Sequence, residues 1–128
     1  MTETTTVTMH IGELAEKTGL SHRTIRHYDE VGLLEASGRS EGGFRLYTQA
    51  DLDRLLVIRR MKPLGFSLDE MAELLRVVDG LEEAPSGPRR TQLRDELAAF
   101  VADAEERRSK LVTQVSMADE FLGMLRSR

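Results

Sequence analysis

The segment from Ile11 to Phe66 constrains this chain more than any other feature. In under sixty residues it joins a helix–turn–helix pattern, a glycine-tipped basic hairpin and a second pair of helices. Ile11, Leu14 and Ala15 have the i, i+3, i+4 spacing of one helix face. Gly19 supplies the positive φ that ends that helix at little cost, and Ser21 is a good N-cap for the next. The second helix buries Ile25 and part of Tyr28, leaving His22, Arg23, Arg26 and His27 on other faces. A short helix, a tight turn and a second helix with outward cations is the arrangement that seats a recognition helix in a major groove.

After the recognition helix, Gly32-Leu33-Leu34 starts an extended segment, and Gly42-Gly43 sits between two stretches able to pair as a hairpin. Arg39 and Arg45 flank its tip, where a two-stranded wing can lie along a phosphate backbone. Phe44 is expected to anchor this wing while Arg45 points outward. Thr48 with Asp51 forms a capping box in which Asp replaces Glu, opening a third helix that Pro63 and Gly65 close. Ser67 with Glu70 opens a fourth, whose apolar face is Leu68, Met71, Leu74, Leu75 and Val78.

The formal net charge of −4 runs against a nucleic-acid partner until it is resolved along the chain. From Lys17 to Lys62 there are nine Lys or Arg against six Asp or Glu, whereas from Phe66 onward there are nine against thirteen. The positive excess therefore lies on the segment that would face phosphate, and local charge within a Debye length of about 8–10 Å governs contact. No apolar run approaches the ~20 residues of a membrane span. Met1 to Thr6 have neither the basic start nor the apolar core of a signal peptide. The absence of cysteine removes disulfides and thiolate metal sites and fits a cytoplasmic location.

Asp79 to Pro88 combines glycine, proline and acid, and reads as a linker. Beyond it, Leu93, Leu97, Phe100, Ala104, Leu111, Val115, Ala118, Leu122 and Leu125 recur at steps of three, four or seven, which predicts one long helix with a narrow apolar stripe. The economical cover for such a stripe is the same helix of a second chain. The expected fold is mainly α: a winged helix–turn–helix with a small β-hairpin wing, then a long C-terminal coiled-coil helix. The expected divisions are a disordered tail over 1–8, the DNA-binding module over 9–79, a linker over 80–90 and the dimerisation helix over 91–126.

These blocks resemble the MerR-type transcriptional regulators. The resemblance is carried by Ile11-Gly12-Glu13-Leu14-Ala15, Thr18-Gly19-Leu20-Ser21, Arg23 to Asp29, Gly32-Leu33-Leu34, Gly43-Phe44-Arg45-Leu46-Tyr47 and Leu64 to Leu68, in the family's order over about half the chain. His27 stands where many members have tyrosine, and Pro63 where many continue the third helix. The resemblance implies an antiparallel coiled coil and a homodimer on an inverted-repeat operator. It also implies promoter-spacer distortion that realigns the site for RNA polymerase. Members that sense thiophilic metals do so through cysteines, which this chain lacks, and members that bind drugs append a domain beyond the coil. A small effector between coil and DNA-binding module remains open, as does control by abundance alone.

The candidate DNA-contacting residues are His22, Arg23, Thr24, Arg26, His27, Tyr28, Arg39, Arg45, Tyr47 and Arg59. Arginine suits phosphates and the guanine O6/N7 edge. Tyr28 and Tyr47 combine apolar rings, suited to a core, with hydroxyls able to reach phosphate. Of the methionines, Met61 and Met71 fit helix cores, and Met117 and Met124 lie near the coil seam. No histidine spacing suggests zinc. No cofactor and no catalytic group is expected. The alternative reading is a coiled-coil protein-interaction module in which DNA binding is secondary.

Overall fold

The structure is a computed structural model and describes residues 8–128. The chain divides into two compact units, between Ala72 and Glu73. In the first, α1 (Ile11–Thr18) and α2 (His22–Glu30) form the helix–turn–helix. Gly19 ends α1 at φ 73°, in the left-handed region that L side chains rarely adopt. The Ser21 hydroxyl accepts the Thr24 N–H and starts α2. Helix α1 packs on α2 and on α3 (Gln49–Met61), and Leu14, Ile25, Leu34, Leu55 and Ile58 are fully buried.

The wing is a three-stranded sheet, one strand more than the expected hairpin. Strand β1 (Thr8–Met9) pairs antiparallel with β3 (Arg45–Thr48), which pairs antiparallel on its other side with β2 (Gly38–Arg39). The registers place Met9 opposite Tyr47 and Arg39 opposite Arg45. Thr8 therefore belongs to a strand rather than to a tail, and the rest of the expected tail lies outside the described residues. Two residues are too few to display the period-two pattern that announces a strand.

Both capping boxes form. The Asp51 carboxylate accepts the Thr48 N–H at 2.7 Å while the Thr48 hydroxyl accepts the Asp51 N–H, and Ser67 and Glu70 exchange the equivalent bonds at 2.9 and 3.1 Å. The Ser37 hydroxyl also donates to Asp51 at 2.6 Å, tying the foot of the wing to the start of α3. Helix α3 ends at Met61, and a 3-10 turn over Lys62–Leu64 carries Pro63, as its missing N–H requires. Helix α4 (Leu68–Glu83) starts in this unit; Met61 and Met71 are buried, and Leu68 is exposed.

The second unit holds the rest of α4 and α5 (Pro88–Arg126), whose 39 residues extend roughly 58 Å at 1.5 Å per residue. The two helices fill most of the expected 80–90 linker and leave only 84–87 between them. Pro88 is accepted because the first helical turn has no use for its missing N–H. Gly80 lies within α4 and makes room for Leu93, which crosses directly over it: a Cβ there would stand 2.9 Å from Leu93 Cδ1. Arg90 donates to the carbonyls of Leu81 and Ala84 at 2.9 and 3.1 Å, satisfying acceptors at the end of α4. Arg76 pairs with Glu96 at 3.1 Å. On α4, Val77 is fully buried and Val78 half-buried, one position from the expected register.

Leu93 is thus buried within its own chain, which removes it from the predicted dimer seam. Leu97, Phe100 and Ala104 are half-buried, whereas Leu111, Val115, Ala118, Leu122 and Leu125 are exposed. Met117 and Met124 are about 60% exposed. At ~100° per residue they fall more than a quarter-turn off the Leu111–Leu125 stripe rather than near it. With Phe121, also exposed, they form a second apolar ridge on the last turns.

Candidate nucleic-acid interface

Two open clefts flank the exposed side of α2. The smaller, about 290 Å³, is lined by His10, Ile11, Arg26, Arg39, Phe44 and Arg45, together with Gly43 at the wing turn. Three guanidinium groups thus converge on one hollow with no carboxylate among its lining residues. The hollow also adjoins the first turn of α1. His10, the N-cap residue, forms no side-chain cap there. Uncapped N–H groups at a helix start favour an anion. The wing turn is closed by the Ser40 and Gly43 backbones, with Gly43 N–H on Ser40 O at 2.9 Å and Ser40 N–H on Phe44 O at 2.8 Å. Arg39 donates to the Gly43 carbonyl at 3.1 Å, which holds its side chain across the tip.

The larger cleft, about 1010 Å³, runs between α2 and the α3–α4 turn. Arg23, Arg26 and Lys62 supply its cationic side with His27 beside them, Glu30 its one acid, and Tyr28, Phe66, Leu68 and Met71 its apolar floor. Arg26 lines both clefts. Three residues apart on α2, Arg23 and Arg26 share one face of the helix and both are exposed.

The remaining predicted residues separate into three kinds. His22 on α2 and Arg59 near the end of α3 are exposed outside both clefts, whereas the exposed His27 lines the larger one. Thr24 is half-buried and its hydroxyl lies 2.9 Å from that of Ser21, so it serves the cap as well as the larger cleft. Tyr28 and Tyr47 are core residues. Tyr47 is wholly buried with its hydroxyl donating to Asp29 at 3.0 Å, so it makes no direct contact with a ligand. Tyr28 is 3% exposed and contributes only to the cleft floor.

The wing inverts the expected roles of Phe44 and Arg45. Phe44 is 68% exposed and meets the His10 ring edge-on at a centroid distance of 6.3 Å. Arg45 instead leans inward, its Nε 3.7 Å from Asp29 Oδ2. Burial, with the Asp29 hydrogen bond and charge adding to it, pushes the Tyr47 phenol up to about 12, so it remains a hydrogen-bond donor at neutral pH. His10 and Phe44 were not among the expected contact residues. Their pairing spans 34 positions and leaves no trace in local pattern.

This geometry of recognition helix, basic wing and capped helix pair has known counterparts. Residues 9–77 match the MerR HTH family regulatory proteins, and residues 52–115 match a family described as MerR, DNA binding. The chain belongs to the MerR family. It is 36% identical over 121 residues to the HTH-type transcriptional regulator CueR of Salmonella typhi, covering 93% of this chain and 80% of that one. It is 51% identical over 69 residues to the mercuric resistance operon regulatory protein of Bacillus cereus, covering 54% of this chain and about half (52%) of that relative's length. The crystal structure of HiNmlR, a MerR-family regulator lacking the sensor domain and bound to promoter DNA, superposes with a TM-score of 0.62 at 30% identity. That match covers 91% of this chain and 80% of that one. MerR proteins are DNA-binding transcriptional regulators, and the two cation-lined clefts lie in the MerR-matched part of this chain.

Proposed function

We propose that this MerR-family protein is a sequence-specific transcription regulator that acts as a homodimer on an inverted-repeat promoter operator. The carrying observation is the convergence of Arg26, Arg39 and Arg45 on one small cleft beside an exposed recognition helix. A duplex phosphate fits that cleft, while Arg23 and Arg26 face base edges or the adjoining backbone. His22, His27 and Arg59 provide further contacts along the same strand. The α5 stripe, half-buried at Leu97, Phe100 and Ala104 and exposed at Leu111, Val115, Ala118, Leu122 and Leu125, supports self-association. Two-fold protein symmetry then calls for pseudo-two-fold DNA symmetry.

The protein works in the cytoplasm, where its partners are double-stranded DNA and RNA polymerase at the promoter. Distortion of the promoter spacer fits this reading: contacts by two fixed modules offset the deformation energy of the DNA between them. The promoter-bound HiNmlR supports promoter binding by this chain. A small effector remains compatible with this reading. None of the helices among the described residues is long and apolar enough to cross a membrane.

The test is selection of bound duplexes from a random pool. The expected product is an inverted repeat whose half-sites lie on one face of the helix. Their binding should weaken with salt at about −0.9 per neutralised phosphate on a log–log plot. Enrichment of no sequence at low salt contradicts the proposal and favours the protein-interaction reading.

A further inference from the structure

We infer that Asp29 is a specificity-determining positioning residue, clamping the wing arginine Arg45 to the recognition helix; this rests on the DNA-binding reading above. Asp29 lies on α2, three positions after Arg26, with its side chain 15% exposed. One carboxylate oxygen, Oδ2, accepts the Tyr47 hydroxyl at 3.0 Å and lies 3.7 Å from Arg45 Nε. Tyr47 and Arg45 are both on β3, two residues apart, and therefore on the same side of the strand. A buried phenol thus holds the carboxylate by a hydrogen bond, and the carboxylate draws the guanidinium toward α2 as an ion pair. With Nε 3.7 Å from Asp29, the Arg45 side chain is held beside α2 while it still lines the wing cleft.

A carboxylate beside one of the three cleft arginines is a poor choice for a surface that only attracts phosphate, because it subtracts positive potential near where the anion would sit. Its presence fits a different role, that of fixing the spacing between wing and recognition helix. When α2 is seated in its groove, the clamp holds Arg45 where the backbone runs. On a duplex of the wrong sequence the same carboxylate opposes any phosphate that approaches in another register. Asp29 accordingly strengthens operator binding and weakens non-specific binding, two effects of opposite sign. A residue needed only for folding would support both, and a simple surface charge would oppose both.

The experiment compares the full chain with Asp29→Asn, Tyr47→Phe and Arg45→Ala on its selected operator and on an unrelated duplex of equal length, at one salt concentration. Asp29→Asn keeps an oxygen for the Tyr47 hydroxyl but loses the charge. Operator affinity is expected to fall about tenfold while affinity for the unrelated duplex rises about two- to threefold. Tyr47→Phe, which frees the carboxylate without changing charge, is expected to lower operator affinity and leave non-specific affinity unchanged. In the Arg45→Ala background Asp29→Asn is expected to cause no further operator loss, since the two residues act as one unit. Parallel rises on both duplexes, parallel falls with a lowered melting temperature, or no change on either would each overturn the inference. A wild-type protein that fails to distinguish the two duplexes would sink the DNA reading itself, and the inference with it.

Discussion

Arg26→Ala is expected to weaken operator binding by about a hundredfold, more than any other single arginine replacement on this surface. Arg26 alone lines both the wing cleft and the larger cleft beside α2. If both clefts meet DNA as proposed, removing it takes a cation from two stretches of contact at once. A well-placed arginine contact contributes about 1–3 kcal/mol, and a homodimer loses it in both half-sites. The salt dependence should fall by about one phosphate-equivalent per half-site if Arg26 meets backbone, and stay unchanged if it reads a base. Titration of operator binding at several salt concentrations measures both quantities. Arg59→Ala provides the contrast: exposed but outside both clefts, it is expected to change affinity by less than about threefold.

Leu111→Asp is expected to leave the DNA-binding unit folded and convert the protein to monomers by sedimentation. Leu111 is 38% exposed in the single chain, at the start of the exposed stripe that runs to Leu125. A carboxylate there costs a solvated lone helix under about 1 kcal/mol of helix propensity but would be buried unpaired in a helix–helix seam. Losing the second module removes the effective-concentration gain of a two-site contact, so operator affinity should fall by roughly 10²–10⁴. Leu93→Asp is not an equivalent test. Leu93 packs over Gly80 within the chain, and its replacement would unseat α4 from α5 before any subunit contact was reached.

The parts of this fold that were legible in the sequence are those set within about four residues. The Gly19 turn, the Ser21 cap, both capping boxes and the stop at Pro63 depend on bonds between near neighbours. Residue type and spacing suffice to announce them. The long periodic helix was legible for the same reason, since its stripe repeats over many turns. What covers that stripe was not legible: periodicity places Leu93 on the same face as Leu111, yet one is buried by its own chain and the other is bare.

The contact surface followed a similar division. Cations on α2 and at the wing tip could be found from the helix–turn–helix frame. The directions of Phe44, just before β3, and of Arg45, its first residue, could not, because only the tertiary partner decides which of the two turns inward. Here that partner is Asp29, brought by the fold to Tyr47 and Arg45 from 18 and 16 positions away. Tyr47 was misplaced for a related reason. Its hydroxyl suits a phosphate, but its ring sits opposite Met9 on a strand too short to be seen in advance.

Hydroxyl-radical footprinting of the wild-type protein on its selected operator tests the central claim most directly. Two fixed cationic modules should protect two backbone stretches on one face of the duplex, related by two-fold symmetry. Their centres should lie a whole number of helical turns apart, about 34–36 Å each. Arg26→Ala should weaken both stretches equally. A single protected stretch, or two stretches on opposite faces of the duplex, would contradict the account.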